Sequence, residues 1–290
     1  MDPSYVDSHV HFWDPALLPY PWLSHHPSLA KKHVPSDLRR DLGAGGGPLA
    51  GAVPRSLVVV QSECDRARFL DEVQWVEAMA KTEPLIAAIV PFAPMDRGDS
   101  TVAILDDLAR RPLVRGVRHL IQDDPDAQLC QRLPFVTGVR ITGQKGLSFD
   151  LCAREWQLPG VIDLVRACPE TRFVLDHAGK PDIAGGRLGP WRGRVRELAA
   201  LPHVVCKLSG LVTEASGKVP AREELKPYVD HLIACFGPQR LLFGSDWPVV
   251  KLAASGAQWL ETARELVGDL GPSDQQAIFS DTARRTYRLP

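Results

Sequence analysis

Asp7-Ser8-His9-Val10-His11 places two imidazoles two positions apart within an apolar run. In an extended strand such residues leave the same face, with Cα atoms roughly 6.5–7 Å apart. Two ring nitrogens at that spacing can converge on one cation at Zn–N distances of about 2.0–2.1 Å. A pair of hydrogen-bonded core histidines is the competing account, and it leaves two buried imidazoles to be compensated. His177 is the second candidate, because the apolar run Phe173-Val174-Leu175 ends in Asp176-His177 and then Ala178-Gly179-Lys180-Pro181. Asp176 points the other way, as an orienting group or a helix cap. The third is Asp246, which follows Leu241-Leu242-Phe243-Gly244-Ser245 and precedes Trp247-Pro248. Its ordinary explanation is a turn carboxylate before proline. Three histidines and an acid, all at strand ends, together make the donor set of a metal-water site.

Such residues meet only if the strands that carry them end on one face of the fold. Short runs rich in Val, Ile and Leu recur at Tyr5–Phe12, Leu57–Gln61, Ile86–Phe92, Val114–Leu120, Leu147–Leu151, Arg172–His177, Val204–Ser209 and Leu241–Ser245. Near-continuous apolar runs are the mark of strands buried on both faces. Amphipathic stretches separate them: Ala67–Lys81, Val102–Arg110, Leu158–Ala167, Trp191–Ala200, Glu223–Phe236 and Ala257–Val267, with a last helix over Ser273–Tyr287 capped by Ser273. Eight strands alternating with helices predict an α/β fold, a single (β/α)8 TIM barrel spanning residues 1–290 as one domain. An open doubly wound sheet is the alternative. No GxGxxG follows a strand, and Gly43–Gly47 (GAGGG) precedes one, so it reads as a flexible connection. The Trp13–Arg55 connection after the first strand is long and carries Trp22, His25, His26 and His33. A loop of that length is expected to act as a lid over the C-terminal mouth of the barrel.

Composition excludes some classes of partner. The chain has 290 residues, with 34 Lys plus Arg against 35 Asp plus Glu. That balance supplies no sustained basic field for nucleic acid or a membrane surface. No run of ~18 apolar residues exists to span a bilayer, and the N-terminus lacks the n- and h-regions of a secretory signal. Cys64, Cys130, Cys152, Cys168, Cys206 and Cys235 form no close pair, so reduced thiols in a cytoplasmic protein are expected. Oligomeric state is not legible.

Further polar residues fall at predicted strand ends. Arg118 is the leading candidate to grip a substrate carboxylate or hydroxyls through its fork of donors, with an ion pair to Asp150 as the structural alternative. Gln61, Asp150, Trp13 and Trp247 are the other substrate-binding candidates, with Lys207 and Ser209 ranked below. Strand alternation turns His119 away from the face that Arg118 uses. His203 and His231 read as surface groups.

The segments DSHVHFWDP, GVRH, LDHAGKP, KLSG and FGSDWPV, in this order, resemble the amidohydrolase superfamily over Val6 to about Leu289. Within it they resemble the branch that holds L-fuconolactone and L-rhamnonolactone hydrolases, 4-sulfomuconolactone hydrolase and 2-pyrone-4,6-dicarboxylate hydrolase. Thr282-Ala283 stands where many members have Asn-Ala, a departure that touches packing. Carried over by position, the resemblance implies metal ligands His9, His11, His177 and Asp246, with Asp246 and His177 also catalytic. It implies one divalent ion, zinc, since the fourth and seventh strands lack the bridging groups of binuclear relatives. The expected activity is hydrolysis of a small sugar-acid lactone in carbohydrate catabolism. The rivals are a metal-independent pyrone-dicarboxylate-type lactonase, a decarboxylase of the aminocarboxymuconate-semialdehyde type, and a non-catalytic binding protein on the same barrel.

Overall fold

The eight apolar runs form eight parallel strands. The computed structural model describes residues 4–43, 52–217 and 221–290. They are β1 (Tyr5–Val10), β2 (Pro54–Val60), β3 (Ile86–Val90), β4 (Gly116–Arg118), β5 (Ser148–Leu151), β6 (Arg172–Leu175), β7 (Val204–Leu208) and β8 (Leu241–Phe243). Each pairs with its sequence neighbour within two ladders, β1-β2-β3 and β4-β5-β6-β7-β8. Single parallel bridges span the two seams: Ile89 with Val114 and Phe92 with Arg118 on one side, Val10 with Trp247 on the other. At the second seam Asp246 N donates to His9 O (2.8 Å) and His11 N to Trp247 O (2.7 Å). The arrangement is the expected barrel. Several strands stop short of their predicted ends, and the residues left beyond the ladder include His11, His177, Ser209 and Asp246.

The helices are α1 (Pro35–Gly43), α2 (Phe69–Ala80), α3 (Asp99–Arg110), α4 (Leu133–Gln144), α5 (Leu158–Ala167), α6 (Gly189–Ala199), α7 (Arg222–Phe236), α8 (Gly256–Leu266), α9 (Pro272–Gln276) and α10 (Thr282–Tyr287). The main core lies between strands and helices, where Phe149, Phe173, Leu208 and Phe243 meet Val139, Leu164, Trp191 and Leu260. A smaller cluster fills the barrel interior: Val6, Val58, Val60, Ala88, Val90, Val174 and Leu242, plugged from below by Ala283 and Tyr287. No helix is long and apolar enough to cross a membrane among the described residues. Five of the six cysteines are buried, Cys235 is half-buried, and all are free thiols.

Three expectations need correction. The final helix begins at Pro272 with Gly271 at the cap, so Ser273 caps nothing, and the π-helical turn Ala277–Asp281 interrupts it. His231 is buried and donates Nε2–H to Arg192 O (3.0 Å), while His203 is half-buried. The Trp13–Arg55 connection is not structureless: it contains two short 3-10 helices and α1. Trp13 and His33 exchange backbone hydrogen bonds (3.0 and 2.8 Å), which fold its first half back against the barrel rim. Most of the glycine run Gly43–Gly47 lies outside the described residues.

Helix α4 escaped the sequence reading because its sequence, LPFVTGVRITGQ, is rich in β-branched residues and glycine. Packing explains the glycine. A Cβ on Gly138 would lie 2.5 Å from the Met95 carbonyl oxygen, a backbone atom that cannot rotate away. Overpacking costs ~1–3 kcal/mol, against a helix-propensity gain of about 1 kcal/mol for alanine over glycine. Gly138→Ala is therefore expected to lower stability by up to about 2 kcal/mol, read as a lower urea midpoint at unchanged slope.

Candidate active site

The site is built at the C-terminal ends of β1, β6, β7 and β8. Val6 lies inside the barrel, so unbroken alternation would turn His9 outward. A register irregularity between Asp7 and Val10 changes the parity, and His9 faces inward with His11 above it. The Asp7 carboxylate accepts from Ser245 N (2.8 Å) and His9 N (3.2 Å), fastening the end of β8 to β1. Burial raises the Asp7 carboxyl to about 6. Four consecutive residues, His177, Ala178, Gly179 and Lys180, take left-handed φ of 52°, 54°, 70° and 45°, and Asp246 takes 58°. Backbone in that region is costly for non-glycine residues and persists where its surroundings fix it. Gly210 leaves the room: a Cβ there would meet His177 Nδ1 at 2.6 Å.

His9 Nε2 and His11 Nε2 are 3.1 Å apart. Asp246 Oδ1 lies 3.3 Å from His11 Nε2, 3.8 Å from His9 Nε2 and 4.0 Å from His177 Nε2. Each imidazole has its other nitrogen engaged. His11 Nδ1 faces Val60 O (3.0 Å), His177 Nδ1 faces Ser209 Oγ (2.9 Å), and His9 Nδ1 sits between Lys207 Nζ (3.0 Å) and Asp176 Oδ1 (3.4 Å). This is the outer bonding that fixes tautomer and ring orientation in metal-ligating histidines.

Burial, reinforced by the Lys207 charge, holds His9 well below the usual imidazole range, and burial pushes His177 down to about 4. Burial would raise the Asp246 carboxyl, but the nearby imidazoles of His177, His11 and His9 outweigh it and hold it low. The cluster therefore offers an anion together with inward-facing nitrogen lone pairs that repel one another. Two nitrogens on one tetrahedral zinc are about 3.3 Å apart at Zn–N distances near 2.0–2.1 Å, close to the 3.1 Å between His9 and His11. The residues fit a divalent cation. His9, His177 and Asp246 each present a ligand atom within 4.8 Å of the others.

Beneath them lies a fully buried polar group. Lys207 Nζ donates to Asp150 Oδ2 (2.7 Å), lies 2.9 Å from Asp176 Oδ1 and is 3.0 Å from His9 Nδ1. Tyr287 OH also donates to Asp150 (2.7 Å), and Arg118 bonds Asp176 Oδ2 (3.2 Å) and Gln61 O (2.9 Å). Burial works against the Lys207 ammonium, but Asp150 and Asp176 more than offset it and raise its pKa.

These placements sort the candidates named from the sequence. His11, His177, Asp246 and Arg118 line a cavity of about 620 Å³, with His9 buried just below. Arg118 pairs with Asp176, not with Asp150. Asp150 is fully buried under the floor with Lys207, away from the lining. Gln61 donates to Glu63 Oε1, and it too lies outside the lining. Trp13 and Trp247 are 0% exposed and serve packing, Trp13 in the small cluster beneath the long connection. His119 is turned away, between Phe92 and Phe135, and accepts from Met95 N. Sequence reasoning missed Asp7 and Lys180, which flank the histidines inside DSHVHFWDP and LDHAGKP, and Glu214 and Tyr287, which lie outside the quoted motifs. The long connection does reach the mouth, where Trp22, His25 and His26 join the lining.

A family model for amidohydrolases matches residues 6–289. The chain is an amidohydrolase family member. A protein named L-fucono-1,5-lactonase from Burkholderia multivorans is 35% identical over 98% of this chain and 96% of its own length. Another of that name from Burkholderia ambifaria is 33% identical over 98% of this chain and 95% of its own. The crystal structure of an amidohydrolase from Burkholderia multivorans with bound zinc superposes with a TM-score of 0.86 at 35% identity, covering 99% of each chain.

In this amidohydrolase the Lys207 ammonium compensates two buried carboxylates. Removing one partner of such a group costs ~3–5 kcal/mol. Lys207→Met is expected to lose that much, measured as a fall in the denaturant midpoint. A midpoint within error of the parent would show that the network contributes nothing to stability.

Proposed function

We propose that this amidohydrolase opens the ring of a small, neutral sugar-acid lactone by adding water to its carbonyl. The observation that carries the reading is the convergence of His9, His11, His177 and Asp246 on the cavity floor, each imidazole oriented by its second nitrogen. The zinc-bound relative and the two lactonase-named relatives support it. These four residues would hold one divalent ion, zinc. When bound, such an ion supplies Lewis acidity, polarising a carbonyl and making water easier to deprotonate.

The protein's own groups account for the proton transfers. Asp246 is ionised across the working range because its pKa is held low, which is the state a base must be in. The proton taken from water then passes from Asp246 to the ring oxygen as the C–O bond breaks. His177, with Nδ1 held by Ser209 and Nε2 beside Asp246, would present its Nε2 lone pair to the ion, so its part is to hold and position the site next to the base.

Charge pairing favours a neutral substrate. Among the described residues, the Arg and Lys side chains that line the cavity are Arg118, Arg154 and Lys180. Each is paired, with Asp176, Asp123 and Glu214 respectively. A pyrone or muconate carboxylate would have to displace one of these acids. Hydroxyls can bond to the pairs as they stand. The substrate is thus a small molecule with several hydroxyls.

Purified protein is expected to hold about one divalent ion per chain, and the double variant His9→Ala/His11→Ala to hold none. Full activity in exhaustively chelated, metal-free enzyme would move the reaction to a metal-independent route. Asp246→Asn is expected to lower kcat by about 10²–10⁴-fold with little change in KM. Metal content is measured alongside, since the substitution alters a proposed ligand and the proposed base at once. A variant that keeps its ion and its kcat removes Asp246 as the base and leaves His177.

A further inference from the structure

The cavity over the His9–Asp246 floor does not end at its outer wall. Arg154, Lys180 and Glu214 line it, and the same three side chains line a second cavity of about 340 Å³ on their far side. The outer cavity is completed by Trp156, Asp182 and Arg187, so its walls come from the segments after β5, β6 and β7. These follow the same strand ends that carry the floor. The two spaces are successive compartments on one face of the barrel.

Trp156 sets the character of the outer compartment. It sits in the 3-10 turn Glu155–Gln157, is 56% exposed, and is the only large aromatic in that lining among the described residues. The turn itself is fixed on both sides. Arg154 pairs with Asp123 (2.6 Å), Gln157 Nε2 donates to Ile121 O (2.8 Å), and Arg194 donates to Glu155 O (2.8 Å). The backbone is thus anchored while the indole is left out of the core. An uncovered indole on an anchored backbone, bordered by guanidinium and carboxylate groups, matches a pyranose. Such a ring has an apolar C–H face to lay on an aromatic surface and hydroxyls at its edge for planar charged groups.

We propose that the outer cavity is a glycosyl subsite, and that the enzyme accepts lactones of disaccharide acids, in which an aldonolactone carries a second sugar on one of its hydroxyl groups. The inference rests on the lactone reading above. With the reacting carbonyl over the floor, a substituent on the far side of the lactone ring extends past the Lys180–Glu214 pair, which lines both cavities. Those two groups (Nζ–Oε1 2.7 Å) offer a donor and an acceptor to hydroxyls on either side. Cavities of about 300–1,000 Å³ accommodate drug-sized ligands, and the inner one alone, at about 620 Å³, exceeds the needs of one six-carbon lactone. Water adds to the lactone carbonyl and the ring C–O bond breaks, giving a glycosylated hydroxy acid. The glycosidic bond is untouched.

The test compares matched pairs: aldono-1,5-lactones and the same lactones bearing a glycosyl unit at O4, such as glucono-1,5-lactone against cellobiono-, maltobiono- and lactobiono-1,5-lactone. For at least one pair the glycosylated lactone is expected to show the lower KM. Trp156→Ala should raise that KM about 3–10-fold, the range of one aromatic contact. The parent lactone's kcat/KM should stay within about twofold, and Trp156→Phe should recover part of the loss. Turnover of parent lactones alone, or a Trp156→Ala effect equal on both members of a pair, overturns the subsite and leaves the lactone reading standing. If a broad panel of sugar lactones gives no turnover, the lactone reading falls and the subsite falls with it.

Discussion

An ammonium group with no access to water organises the centre of this barrel. Lys207 is 0% exposed, and its Nζ sits among Asp150, Asp176 and His9. Moving a charge of that size out of water costs several kcal/mol even after relaxation, so it persists only with close, well-aligned partners. Here the partners come from different strands: Asp150 from β5, Asp176 from the end of β6, His9 from β1, with Tyr287 of α10 completing Asp150 from below. The group joins opposite sides of the barrel and its bottom plug through one set of contacts. A displacement of any of these elements would leave a buried charge without its counterpart.

The floor of the cavity inherits its order from this group. Asp176 faces Lys207 and His9 through Oδ1 and Arg118 through Oδ2, so one carboxylate fixes a candidate ligand and a cavity cation together. Lys207 and Arg118 balance Asp150 and Asp176 below, and Asp246 is left above as the anion among three imidazoles. That residual negative charge, with converging lone pairs, is what makes the upper cluster suited to a cation. The same pairing runs outward, where Arg154 and Lys180 are each matched by an acid.

The strained segment His177–Lys180 belongs to this logic. Four left-handed residues in succession cannot be favoured locally, since only glycine adopts that region freely. They are held by tertiary contacts: Trp191 donates to Ala178 O (2.7 Å), Ser209 holds His177, and Glu214 holds Lys180. In return the segment turns His177 toward Asp246 and Lys180 toward the mouth within four residues.

The sequence by itself determined the alternation of eight apolar runs with helical segments, and with it the barrel. Burial on both faces leaves its signature in composition, whatever the final packing. It also determined that His9, His11, His177 and Asp246 stand at strand ends, because an apolar run that stops abruptly at a histidine or an acid is visible locally. Helix α4 was not visible, since its glycine serves contact with Met95 and local propensity says nothing of that neighbour. Nor were the partners of the polar strand residues. Arg118 and Asp150 looked equally able to meet a substrate or each other, and only tertiary structure gave Arg118 to Asp176 and buried Asp150 beneath Lys207. Strand periodicity tells which face a side chain leaves. Its height along the barrel axis, and the charge it meets there, depend on the register of strands far apart in the chain, and the register irregularity that turns His9 inward is settled by that pairing.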